Sequence, residues 1–291
     1  MTVRILDVQS ELATDLLARK LREAGYQVVV DPSATNRLRV RYKDEQSASL
    51  EQGMLGYIVT DWQYAFIEKR LGMLHTYLTQ EEREYVSLLV FHALRKEEGP
   101  IAGLLQSQWQ QRLSEAIHEL LEQDGPFFVD GLVRFRLRDY LTSVDAVIHE
   151  MVEQFLTDRE YEEFVSMLRY MLDAQPSSHQ VLHVYCSNDL VWMCDEQGTL
   201  IRDSEVTKAA QQVSEDDDVN AEDLAMSILI TRSPCQIVIH DQTVDAPWPT
   251  FAETVERVFL ERAKRCEGCP TCTDLQPGVN EDAAAIRRKE R

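Results

Sequence analysis

A chain of 291 residues and 33.6 kDa can bury a sizeable core and hold two or three domains. Its 50 acidic and 30 basic residues leave a formal charge of -20. Such a surface repels phosphate backbones and anionic membranes, so both are excluded as general partners.

Hydrophobic residues at 44%, with only 11 Gly and 9 Pro, fit ordered, helix-rich globular structure. The basic clusters that would have to support nucleic-acid binding, Arg37–Lys43 and 287–291, are short. No window forms the run of about 20 apolar residues that a membrane span requires. The best one, 54–74, carries Asp61, Gln63, Glu68, Lys69 and Arg70. The start, MTVRILDVQSE, has no apolar signal core. The expectation is a cytoplasmic protein with no membrane and no nucleic-acid partner.

In chain order, 3–6 reads as a strand, and Leu12, Leu16, Leu17, Leu21 and Ala24 form a helical stripe ended by Gly25. A short strand at 26–30 follows, then turn chemistry at Asp31-Pro32-Ser33. Leu38, Val40 and Tyr42 alternate with Arg37, Arg39, Arg41 and Lys43, the mark of a half-buried strand with a basic outer face. This βαββ unit, 1–44, has no glycine-rich phosphate loop after its first strand, so a nucleotide-binding reading is rejected.

From 48 to 175 the pattern is helical throughout. Thr79 and Glu82 have capping-box spacing, and Gly99-Pro100 and Gly125-Pro126 punctuate. The stretch 130–175 reads as two long helices. The first carries Val133, Leu137, Tyr140, Val144, Ile148 and Val152 on one stripe. The second, capped by Thr157 with Glu160, carries Tyr161, Phe164, Val165, Leu168, Met171 and Leu172. Arg134, Arg136 and Arg138 read as a solvated face with ion pairs rather than an anion site. His92, His118 and His149 stand singly, without a metal-protease or Glu-x-x-His motif, and read as core or boundary residues.

After Pro176 the period changes to that of strands. Val181, His183 and Tyr185 alternate, Asn188-Asp189 turns, and Leu190, Trp192 and Cys194 alternate back, making a hairpin with a third strand at Leu200-Ile201. His179 and His183, four apart on a strand, are about 13 Å from each other and cannot share one ion. The acidic run 215–218 lacks calcium-loop spacing and precedes a helix from about Asn220. A strand at 236–240 and a last helix at 250–263 complete this part. The fold class expected is therefore α+β and helix-rich. A helical bundle (45–176) stands between the small N-terminal unit (1–44) and a C-terminal α/β unit with a hairpin (177–275), and a flexible tail (276–291) follows.

Cys266, Cys269 and Cys272 form Cys-x-x-Cys-x-x-Cys with Gly268 and Pro270 between them. Thiolates so spaced can converge on zinc or an iron-sulfur cluster. A bacterial ferredoxin run needs a further cysteine followed by proline, and 273–277 supplies none. Either metal then needs a fourth ligand, from Cys235 or His240 on the preceding strand or from a second subunit. Cys186 and Cys194 read as buried hairpin residues.

The runs VRFRLRDYL and REYEEFVSMLRYMLDAQ, with SPCQIVIHD and the terminal CEGCPTC, resemble the YtxC-like sporulation proteins of endospore-forming bacteria over most of the chain. The resemblance implies a sporulation setting and a Cys-rich ending, and it brings no catalytic residues. With no paired catalytic carboxylates, nucleophile elbow or phosphate loop in the sequence, the leading expectation is a protein acting through contacts with a protein partner. The alternative is a metal- or iron-sulfur-dependent redox enzyme built on the same cysteines.

Overall fold

The protein is described from a computed structural model covering residues 3–12, 14–34, 36–95, 102–123, 125–188, 190–201, 220–270 and 272. The acidic run 215–218 and the tail 276–291 lie outside these residues. The chain is a helix-rich α+β protein that divides into two compact units, 1–158 and 159–291.

The first unit is built on a four-stranded sheet. Strand β1 (Val3–Gln9) is followed by helix α1 (Thr14–Glu23), then β2 (Gln27–Val30) and β3 (Arg37–Lys43). Here β1 pairs antiparallel with β3, and β3 antiparallel with β2. Strict alternation fixes which face is buried: Leu38, Val40 and Tyr42 are buried while Arg37, Arg39, Arg41 and Lys43 are exposed. Helices α2 (Ser47–Tyr57) and α3 (Gln63–Leu74) are joined by a π turn at Ile58–Trp62. Then come α4 (Gln80–Ala93) and α5 (Ala102–Glu122). Thr79 and Glu82 form the expected capping box at α4.

The helical stretch breaks at the expected Gly125-Pro126, but a strand that the sequence does not announce follows it. After Pro126, β4 (Phe127–Phe128) joins the sheet parallel to β1, pairing with Val8 and Gln9. Helix α6 (Val129–Arg136) starts at once behind it. Two residues carry no periodicity, so the strand exists because Phe127 is fully buried in the core.

The expected break at Thr157 does not occur. Helix α7 (Arg138–Asp173) is unbroken, and Thr157 Oγ1 donates to Glu153 O at 3.0 Å within it, so the residue is not a cap. No Gly or Pro falls between 138 and 173, so nothing stops the helix. The true break lies at Leu137, whose backbone leaves helical geometry between α6 and α7. Of the apolar stripe expected after Thr157, Val165, Leu168 and Leu172 are buried, whereas Phe164 and Met171 are exposed.

The second unit holds the other four-stranded sheet, in the order β6-β5-β7-β8. Strands β5 (Ser178–Ser187) and β6 (Leu190–Asp195) are the predicted hairpin, and Leu200 adds a single bridge to Cys194. Helix α8 (Ala221–Arg232), capped by Asn220, leads to β7 (Pro234–Asp241), parallel to β5. Helix α9 (Phe251–Phe259) leads to β8 (Ala263–Arg265), parallel to β7. The last α-helix thus stops at Phe259 rather than 263: Leu260–Arg262 continue as a 3₁₀ turn, and Ala263 opens the edge strand β8. One core gathers Leu182, Val184, Cys186, Ile237, Ile239, Val255 and Val258. The other face of the sheet carries His183, Tyr185 and His240, because side chains alternate along each strand.

Candidate metal centre

Strand β7 ends at His240-Asp241, and the register pairs Tyr185 with His240. Three parallel strands thus bring their carboxyl ends to one place, the usual position for a ligand site in such sheets. Immediately after β8 the chain turns back over those ends. The Cys266 N–H donates to Ile239 O at 2.8 Å, and Gln242 Nε2 donates to Cys272 O at 3.1 Å. Gly268 sits at φ +112, a left-handed conformation that side-chain-bearing residues rarely adopt. Arg265 steadies the turn from beneath, donating to both carboxylate oxygens of Glu256 and to Asp241 Oδ2 at 3.0 Å.

This backbone brings four donor atoms together, from His240, Cys266, Cys269 and Cys272, all within 4.8 Å of one another. Cys272 Sγ lies 3.0 Å from His240 Nδ1 and 3.9 Å from Cys266 Sγ. Cys269 Sγ lies 3.6 Å from both His240 Nδ1 and Cys272 Sγ. Around a tetrahedral zinc with bonds of about 2.3 Å to sulfur, neighbouring sulfurs stand about 3.8 Å apart. The donor set has the identity and spacing of a Cys₃His group able to hold one ion.

His240 is 3% exposed. Its ring stacks on Tyr185, with centroids 4.2 Å apart and planes 8° from parallel, and Tyr185 in turn stacks on Trp192. Its Nε2 is 3.0 Å from His183 Nδ1. Burial, and then the neighbouring His183, lower its pKa, which keeps the imidazole neutral and able to ligate. Burial, and then the adjoining Cys269 and Cys266, push the Cys272 thiol up to about 11. Without an ion both His240 and Cys272 thus favour their neutral forms. A divalent cation reverses that preference and binds thiolates, releasing their protons.

Cys235 is not in the group. It is exposed at the start of β7, donating to Gln180 O at 3.3 Å, and five residues of strand, about 16 Å, separate it from His240. Cys186 and Cys194 are buried, and burial raises both thiols, Cys186 to about 12. His183 was missed as a neighbour of the site. The only signal was its alternation with Tyr185, and its place beside His240 depends on the parallel register, which no local pattern encodes.

Several ionisable groups elsewhere among the described residues are paired with one another. Arg134 pairs with Glu11 and Arg136 with Glu119 along an open groove of about 560 Å³ in the first unit. Asp130, 8% exposed, accepts from Trp62 Nε1 and from the Glu11 N–H. His118 lies between Glu51 and Glu122, and His149 beside Glu153. Among the described residues no helix is long and apolar enough to cross a membrane.

These features define an α+β protein with a Cys₃His cluster at the carboxyl ends of the three parallel strands of a mixed sheet. The model of the YtxC-like family matches residues 48–264, and the chain belongs to that family. It is also similar to a protein of Bacillus subtilis (strain 168) named "Uncharacterized protein YtxC", 22% identical over 193 residues. That match covers 65% of this chain and 66% of the relative, just under two thirds of its length. No solved structure matches.

Proposed function

We propose that the chain is a zinc-binding member of its family. In this reading Cys266, Cys269, Cys272 and His240 form a closed site that ties the turn after β8 to the end of β7. The observation that carries it is the convergence of four soft and borderline donors within 4.8 Å. Four protein ligands fill a tetrahedral zinc and leave no open position, the pattern of structural rather than catalytic sites. The task of such a site is to hold a surface in shape, which fits an accessory protein working through contacts with a protein partner. The cytoplasm of a sporulating cell, implied by the family resemblance, is the proposed setting.

The alternative redox reading is supported less well. Ligands of an iron-sulfur cluster bind different irons and stand around the whole cluster, whereas these donors are spaced for one ion.

The test is metal analysis of protein purified without oxygen, with a visible spectrum. The expected result is one zinc per chain, lost in Cys269→Ser, and no cluster absorbance. A metal-free, folded wild type overturns the proposal. Iron with broad visible absorbance transfers the site to the redox reading. Normal spore formation in a deletion strain removes the cellular setting while leaving the metal chemistry intact.

A further inference from the structure

We propose that His183 is the positioning residue that makes His240 a metal ligand through Nδ1. The inference rests on the zinc reading above and deepens it. Two imidazole nitrogens 3.0 Å apart, His240 Nε2 and His183 Nδ1, require one to carry the proton and the other to accept it. His240 Nδ1 faces Cys272 Sγ at 3.0 Å and Cys269 Sγ at 3.6 Å, so it is the nitrogen whose lone pair points at the ion. The proton of neutral His240 then sits on Nε2, which donates to His183 Nδ1. His183 in turn carries its own proton on Nε2.

Ligating histidines almost always give their second N–H to an oxygen acceptor, which fixes the tautomer and turns the ring toward the metal. Here a second imidazole takes that place. Register brings it there: His183 and Tyr185 lie on the same face of β5 as His240 on β7, with Tyr185 directly opposite His240. Tyr185, nearly parallel to the ring, holds its plane, and His183 holds its rotation about that plane. The two neighbours do different things, so removing His183 alone leaves the ring packed but free to offer the wrong nitrogen.

The experiment compares zinc affinity, by competition with a chromophoric chelator, for the wild type, His183→Leu and His183→Asn. Asparagine puts an acceptor oxygen where Nδ1 stood, while leucine keeps bulk without an acceptor. His183→Leu is expected to weaken zinc binding about 10–100-fold, the usual effect of losing such a partner. His183→Asn should restore most of that loss.

Ring-nitrogen NMR of the zinc-loaded wild type should show the His240 metal bond at Nδ1 with a protonated Nε2. Should His183→Leu not fold, His183→Gln replaces it, since its longer amide places the acceptor away from the Nδ1 position and should not restore binding. Equal affinity in all variants, or coordination through Nε2, overturns the inference while zinc in the wild type keeps the site. A wild type that binds no zinc overturns both.

Discussion

The two sheets solve one problem in two ways. Each ends in a very short edge strand delivered from later in the chain and paired parallel to its neighbour: β4, of two residues, on β1, and β8, of three residues, on β7. Neither has enough backbone hydrogen bonds to hold itself. In the first unit the anchor is apolar, because Phe127 is fully buried beneath the sheet and Val129 follows it into the core. In the second unit β8 offers only Ala263 to the core edge, while Lys264 and Arg265 are exposed. Its anchors are Arg265, clamped by Glu256 and Asp241, and the cluster of donors just beyond. A strand too polar to be held by burial is held by charge and, in the proposed reading, by coordination.

The largest effects should separate these anchors. Phe127→Ala removes a fully buried aromatic ring and should cost about 3–5 kcal/mol. Hydrogen exchange should rise in peptides covering β1 and β4 and not in those covering β7 and β8. Chelation of the metal should do the reverse. At free zinc about 100-fold above Kd the lost stabilisation is about 2.7 kcal/mol, read as faster exchange in β8 and 266–272. If chelation accelerates β1 as much as β8, the contrast between the two anchors is wrong.

A smaller effect concerns pH. Burial pushes the Tyr57 hydroxyl of the first unit up to about 12 from 10.0, and the Cys186 thiol of the second up to about 12 from 9.0. Both are raised, so folding favours the protonated form. The stability each contributes is whole below its unfolded value and is lost as pH rises toward its folded value. The second unit should therefore begin to weaken near pH 9, about one unit before the first. Complete only near pH 12, the losses are on the order of 3 kcal/mol for Tyr57 and 4 kcal/mol for Cys186. Urea unfolding followed by regional exchange checks the order. Tyr57→Phe should flatten the alkaline fall of the first unit, losing at neutral pH the hydroxyl's contacts with Leu12 O and Ser10 Oγ, worth about 1–2 kcal/mol in all.

These contrasts also explain what was legible in the sequence. The alternation of β3, the hairpin of β5 and β6, the cap at Thr79 and the helix starts near Asn220 and Thr250 are local signals, and local structure follows them. The cysteine spacing is local too. What was not legible is what tertiary contact decides. Phe127-Phe128 and 263–265 are too short to show a period, and they are strands only because β1 and β7 are there to receive them. Thr157 illustrates the opposite error: a capping residue type with Glu160 three positions on looks like a start, yet a helix with no breaker runs through it and the hydroxyl bonds backward instead. Choosing between His240 and Cys235 also required the fold. Both lie on β7, and only the carboxyl end of that strand meets the returning chain.

The smallest predicted effect tests whether the second anchor reaches back into its helix. Thr79 and Thr250 form equivalent capping boxes, each hydroxyl accepting from the N3 backbone N–H while a glutamate returns to the cap backbone. Replacing either by alanine should cost about 1 kcal/mol. The consequences should differ, because α9 leads through one 3₁₀ turn into β8 and the donors beyond it, whereas among the described residues no such group of donors follows α4. Thr250→Ala should therefore lower zinc affinity by at most about fivefold, the most that about 1 kcal/mol permits, while Thr79→Ala leaves it unchanged. Competition titration of the two variants side by side decides it. Identical affinities would mean that the turn at 266–272 is organised by its own backbone and by β7 alone, and that the helix in front of it contributes stability without contributing to the site.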